Sequence, residues 1–100
     1  MNALNLPTSS ADMISQLDAL AAELTVYGWT ATIRTTPGRM SGLHARNPEP
    51  EARALSETIY ARPRADGTWS YWWPWAEPIA ETASAAAAII VKVLRPAAAL

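Results

Sequence analysis

The chain has 100 residues, of which half are hydrophobic and 17% are charged, and its formal net charge is −1. This balance predicts one folded domain over residues 1–100, and it excludes both a uniformly basic chain and an acidic disordered one. The absence of cysteine excludes disulfides, thiolate metal sites and cysteine nucleophiles. No signal peptide or bilayer-spanning apolar run is visible, so the expected location is the cytoplasm, without membrane attachment.

The first predicted element is a helix that begins after the start signal Thr8-Ser9-Ser10 and runs to about Val26. Apolar residues form one stripe along it at helical spacing: Met13, Leu17, Leu20, Ala21 and Leu24. Gly28 is suited to end the helix, since glycine tolerates the left-handed conformation found there. Residues 1–8 are predicted to be a flexible tail.

A β-hairpin is predicted next, because residues 29–35 alternate between apolar and polar side chains. Trp29, Ala31 and Ile33 would face the core, and Thr30, Thr32 and Arg34 would face outward. Pro37-Gly38 indicates a turn. Residues 40–46 would form the return strand, with Leu43 and Ala45 facing inward and His44 and Arg46 facing outward.

Two further strands follow the break at residues 47–50. Residues 51–57 are compatible with one helical turn or with a loop. A third strand is expected at residues 58–61, with Tyr60 and Arg62 on the outward face. Asp66-Gly67 indicates a tight turn, and a fourth strand is expected at residues 69–73, where Pro74 ends it.

The last predicted element is an alanine-rich helix that starts at about Pro78, a residue suited to a first helical turn. Its core stripe would be Ala83, Ala86, Ala87, Ile90 and Leu94, widened by Ile89 and Val93. Pro96 would stop it, leaving residues 96–100 as a second tail. The predicted fold is therefore an α+β two-layer sandwich in the order α-β-β-β-β-α, with a four-stranded antiparallel sheet and both helices on one face.

Four of the five tryptophans lie between residues 69 and 75. In a strand, Trp69, Tyr71 and Trp73 share one face, which is expected to pack on the small side chains of the alanine-rich helix. Trp72 would then point to the other side. A register slip of one residue would exchange Trp72 with Tyr71 and Trp73, so the sequence leaves open which face is buried.

Two helices cover only one face of a sheet, so the other face is the predicted binding surface. Its residues would be Trp72, Arg34, His44, Arg46, Tyr60 and Arg62. Tryptophan, tyrosine and arginine are enriched at interface hot spots, which favours a protein-interaction domain that forms a homodimer or joins another protein. The alternative is a small-ligand or nucleic-acid binding module on the same face, although no RNP-type sequence is present.

Catalytic chemistry has little support in the sequence. His44 is the single histidine, with no second histidine or cysteine to complete a zinc site. The turn at residues 62–67 lacks the pattern of a phosphate-binding loop. The sequence therefore predicts no catalytic residue, no metal and no cofactor, and an enzyme of unknown type is only the second alternative.

Several stretches resemble a family of short, uncharacterised actinobacterial proteins of the Streptomyces type. They are residues 27–31, 37–39 and 43–48 and, most specifically, the tryptophan-rich segment at residues 71–79, which reads YWWPWAEPI. The similarity covers about residues 13–95. It implies a cytoplasmic bacterial protein with an accessory role beside helix-turn-helix regulators, and it brings no catalytic residues.

Overall fold

The computed structural model describes residues 10–35, 40–49 and 56–94. The chain forms two helices and, between them in sequence, the five strands of one antiparallel sheet. They are α1 (Ser10–Val26), β1 (Thr30–Arg34), β2 (Gly42–Arg46), β3 (Ser56–Pro63), β4 (Trp69–Trp72), β5 (Pro78–Ala80) and α2 (Ala83–Val93). The strands lie in the sheet in the order of the chain, each beside its predecessor. The α+β class is therefore confirmed, whereas the strand count of four was wrong.

The first helix has the stripe expected from its spacing, with Leu17, Leu20 and Leu24 fully buried. It ends where Gly28 adopts a φ of +83°. The Trp29 N–H donates to the Leu24 carbonyl and the Gly28 N–H to the Thr25 carbonyl. These two bonds satisfy carbonyls that the last helical turn leaves free, as in a Schellman motif. The predicted role of Gly28 is thus confirmed.

The register of the strands places the predicted inward residues opposite one another. Leu43 pairs with Ile33 on one side and with Ile59 on the other, and Ala61 pairs with Tyr71. Side chains alternate between the faces of a sheet, so these pairs align one apolar face across the strands. Tyr71 is 1% exposed, so the face of β4 that carries Tyr71 is buried and Trp72 points to the other side, as expected.

Buried side chains from both helices join this face of the sheet in one hydrophobic cluster. Its members are Leu17, Leu20, Leu24, Trp29, Leu43, Ala45, Ile59, Ala61, Tyr71, Trp73, Ala86, Ala87, Ile90 and Leu94. The alanines of α2 belong to this cluster, and α2 packs against α1 and β5. Ile89 and Val93 are exposed, so the predicted widening of that stripe was wrong.

The segment after β4 departs most from the sequence prediction. Residues 78–80 form β5 against β4 instead of a first helical turn. The missing N–H of proline suits either position, since an edge strand has one side without ladder partners. The helix begins later, where the Thr82 hydroxyl accepts a 3.2 Å hydrogen bond from the Ala85 N–H. Thr82 before an alanine run is an N-cap signal that the sequence prediction missed.

Two hairpin turns of the same geometry flank β4. In the first, the Arg64 N–H donates to Thr68 and the Gly67 N–H donates back to Arg64. In the second, at residues 73–77, the bonds run in the same pattern, and Ala76 occupies the place of Gly67. The φ angles at these places are +89° for Gly67 and +67° for Ala76. The second turn was missed because an alanine carries no sequence signal for the left-handed conformation.

Several predictions fall on residues outside the described ranges. These are the start signal at Thr8 and Ser9, the turn at Pro37-Gly38, most of the alternative at 51–57, the stop at Pro96, and both tails. β3 begins at Ser56 and continues to Pro63, beyond the expected residues 58–61. Within the described ranges, neither helix combines the length and hydropathy needed to cross a membrane.

Candidate interaction face

The side chains that point away from the hydrophobic cluster form the face that we call the open face. It includes all six predicted binding residues: Arg34 on β1, His44 and Arg46 on β2, Tyr60 and Arg62 on β3, and Trp72 on β4. The three arginines are exposed, and His44, Tyr60 and Trp72 are half-buried. No described helix contributes to this side of the sheet.

Arg62 and Trp72 are in contact on the open face. The guanidinium carbon lies 5.0 Å from the centre of the indole ring. This is a cation–π geometry, which favours this position of the arginine side chain. The indole Nε1 donates a 2.7 Å hydrogen bond to the Ser70 hydroxyl. Ser70 is only 5% exposed although it faces outward, because its two large neighbours cover it.

Tyr60 lies in a row of residues that crosses the sheet. It pairs with Trp72 on β4, and on the other side its ring reaches over Gly42 of β2. A Cβ at Gly42 would lie 3.1 Å from Tyr60 Cε1 and 2.7 Å from Thr58 Cγ2. Glycine is therefore required there by the close approach of side chains from β3. Sequence reasoning missed this role, since Gly42 has no turn signal around it.

His44 lies between positive charges on the open face. Burial is the largest cause that lowers its pKa from the ordinary value of 6.5, followed by the charges of Arg34 and Arg46. Glu57 acts in the opposite direction. Burial and the neighbouring positive charges therefore both favour the neutral imidazole.

The open face carries cations without matching anions. Among the described residues, the single salt bridge joins Arg64 to Glu81 at 2.6 Å, in the β3–β4 turn and before α2. No Asp or Glu occupies an outward position in the described strands, since Glu57 pairs with the inward Ala45. Within that part of the chain, Arg34, Arg46 and Arg62 have no carboxylate partner.

A shallow depression of about 410 Å³ lies on the open face beside this contact. It is lined by Met40, Tyr60, Arg62 and Pro74. Met40 is 47% exposed, so its side chain is accessible to a partner. The depression thus combines apolar walls with one guanidinium, a lining that accepts a partly apolar, negatively charged group.

A second hollow, of about 280 Å³, lies at the end of the sheet where β1 begins, and Thr30, Arg46, Asn47 and Pro48 line it. Asn47 is 4% exposed, and both ends of its amide are already used. Its Nδ2 donates to the Leu94 carbonyl at 2.9 Å, and its Oδ1 accepts the Glu49 N–H. Asn47 therefore joins the sheet to the end of α2 and is not free to bind a ligand.

Trp75 is the tryptophan that the sequence prediction left without a role. Its ring stacks on Trp73 with centroids 5.1 Å apart, and its Nε1 donates to Glu77 Oε1 at 2.7 Å. Trp73 belongs to the buried cluster, so the stack lies against the core and not on the open face. These contacts hold the turn that contains Ala76, which gives Trp75 a structural role.

Among the described residues, no group of three or more His, Asp or Glu side chains gathers to hold a metal. The described part of the open face contains two adjoining groups of side chains. The first consists of two aromatic rings, Tyr60 and Trp72, with Arg62 over the tryptophan; the second is basic and consists of Arg34, His44 and Arg46.

No family model, curated protein or solved structure matches this chain. The resemblance to short actinobacterial proteins therefore stays a prediction. A function for this chain is therefore inferred from the residues of the open face.

Proposed function

We propose that the chain is a non-catalytic protein-interaction domain that binds its partner through the open face. The carrying observation is that Arg62 is held over Trp72 on the side of the sheet that the helices leave uncovered. A solvent-exposed arginine that is already fixed loses less rotamer freedom when it binds. Such fixed Trp, Tyr and Arg side chains are the ones that dominate binding energy at protein interfaces.

The charges on this face bear on whether the partner is a second copy of this chain or a different protein. If two copies met face to face, Arg34, Arg46 and Arg62 of one would approach those of the other. Like charges placed together across an interface cost binding energy. This favours a different protein over a face-to-face homodimer, and it fits an accessory role beside a regulatory protein.

Small-ligand or nucleic-acid binding is the second candidate, and it draws on the same three arginines. Base stacking needs free aromatic faces. Arg62 occupies one face of Trp72, and the ring of Tyr60 lies against the sheet at Gly42. The arrangement thus favours a folded or extended polypeptide over stacked bases.

Selection of peptides from a random dodecapeptide display library against the full chain tests the proposal. Recovered peptides are expected to lose at least tenfold in affinity for Trp72→Ala and to keep their affinity for Tyr27→Ala. The second variant is the matched control, because Tyr27 is an exposed aromatic residue between α1 and β1, outside the strands that form the open face. Peptides that bind Trp72→Ala unchanged, or no enriched peptide at all, would contradict the proposal.

Light scattering distinguishes a homodimer of this chain from a complex with a different protein. The charge argument predicts a monomer at high micromolar concentration in low salt. A dimer that Trp72→Ala dissociates would show that the open face joins two copies of this chain instead.

A further inference from the structure

We infer that the partner of the open face is an acidic polypeptide segment, whose carboxylates meet Arg34, Arg46 and Arg62 and whose apolar side chain enters the depression between Met40 and Pro74. This inference rests on the proposed function and specifies the chemistry of the partner. Its basis is charge complementarity on a face that neither described helix covers.

The first step is the separation of charge within the molecule. The chain has a net charge of −1, yet the described outward strand positions carry three arginines and no carboxylate. The described acidic residues lie instead on α1, in the turns, before α2 or, for Glu57, at an inward strand position. A local positive field on an acidic chain attracts carboxylates to this one face.

The second step is the kind of anion that this face fits. Arginine presents a planar fork that matches a carboxylate or a phosphate. Base stacking needs free ring faces, and Arg62 already covers one face of Trp72, which counts against nucleic acid. An acidic peptide can place carboxylates on the arginines and still bury an apolar side chain beside Met40 and Tyr60.

The third step is that His44 can report the charge of whatever binds. It lies among Arg34, Arg46 and Glu57, and the first two charges help to lower its pKa. Carboxylates placed on these arginines would offset the effect of the two positive charges. Any partner also buries the imidazole, which lowers its pKa, so the charge of the partner appears as the difference between an acidic peptide and its Asn/Gln counterpart.

A competition between three display libraries tests the inference on the full chain. Each library has apolar residues at half of its positions, and the remaining positions carry Asp/Glu, Asn/Gln or Lys/Arg. The acidic library is expected to supply the peptides that depend on Trp72. Their affinity should fall at least tenfold in the variant Arg34→Gln/Arg46→Gln/Arg62→Gln. Each single Arg→Gln variant should weaken binding, whereas Lys92→Gln, an equal change of one charge on α2, should leave it unchanged.

The outcomes separate this inference from the proposed function. Peptides from the neutral or basic library that still depend on Trp72 would overturn the inference and leave the interaction face standing. The absence of Trp72-dependent peptides from every library would overturn both. Tighter binding of the single-stranded oligonucleotide dT20 than of the best acidic peptide, with the same arginine dependence, would assign the face to nucleic acid. The pKa of His44 should be higher on saturation with the acidic peptide than with its Asn/Gln counterpart, since both bury the imidazole and only the first brings carboxylates; an equal or lower pKa with the acidic peptide contradicts the inference.

Discussion

The guanidinium of Arg62 lies 5.0 Å from the centre of the Trp72 ring, on adjacent strands of the sheet. The two side chains face away from the hydrophobic cluster, so the contact contributes little to the core. Its effect is to hold an arginine and a tryptophan in fixed positions where a partner can reach them. The proposed function depends on this arrangement, whereas the following predictions test the fold that produces it.

Substitutions at the matched turn positions Gly67 and Ala76 should change the free energy of unfolding in opposite directions. Ala76→Gly relieves a left-handed alanine and is expected to raise the free energy of unfolding by about 0.5–1 kcal/mol. Gly67→Ala introduces the same strain, with no atom within 4 Å of the new Cβ, and is expected to lower it by about 1 kcal/mol. Urea unfolding of both variants measures these changes. Destabilisation by Ala76→Gly would show that the φ of +67° is not the cause of strain.

The close packing over Gly42 predicts a coupled pair of substitutions. Gly42→Ala places a methyl group 2.7 Å from Thr58 Cγ2, so it should cost about 1–3 kcal/mol of stability. Thr58→Ser removes that carbon and should reduce the cost of the alanine. A double-mutant cycle on urea unfolding measures the coupling. Equal costs of Gly42→Ala in the two backgrounds would place the clash elsewhere.

Tyr71 predicts a stability difference that depends on pH. Its hydroxyl donates a 2.7 Å hydrogen bond to the Gln16 carbonyl, so Tyr71→Phe should lower the free energy of unfolding by about 1 kcal/mol at pH 8. Burial raises the pKa of Tyr71 above its ordinary value of 10.0. The unfolded chain therefore ionises first, and the wild-type advantage should shrink as the pH rises through 10. A constant difference up to pH 11 would contradict this, since the other tyrosines titrate equally in both proteins.

The environment of His44 predicts its titration in the free protein. The pKa of its imidazole should lie below 6.5, and Arg34→Gln should raise it part of the way back, because burial remains. Glu57→Gln should lower it further. The folded protein resists protonation of His44 more than the unfolded chain does. The contribution of the neutral imidazole to the free energy of unfolding is therefore complete above about pH 6.5 and is lost as the pH falls below it. NMR titration of the imidazole Hε1 measures all three midpoints, with Lys92→Gln as the charge control, and a wild-type midpoint at or above 6.5 would refute the assignment.

The sequence predicted the elements whose patterns follow from their own residues. The spacing of Leu17, Leu20 and Leu24 specified the buried side of α1, and alternation specified the faces of β1 and β2. β5 was missed because its turn depends on Ala76 in a conformation that only the surrounding contacts stabilise. Those contacts, the Trp73–Trp75 stack and the bond from Trp75 to Glu77, could not be inferred from local pattern.

The candidate site was predicted in its residues but not in its contacts. Alternation placed Arg62 and Trp72 outward, yet the cation–π contact requires the register between β3 and β4, which no single strand encodes. The need for glycine at position 42 likewise arises from Tyr60 and Thr58 on the neighbouring strand. Pairwise geometry across strands is what the structure adds.

The most direct test of the open face is a heteronuclear NMR titration that follows the five tryptophan indole signals while a selected peptide is added. Each indole reports one location, with Trp72 on the open face and Trp75 on the stack beside the core. Binding through the open face predicts a large, saturable shift of the Trp72 indole and of the Arg62 guanidinium, with the Trp75 indole unchanged. A saturable shift at Trp75 with Trp72 unmoved would contradict the account.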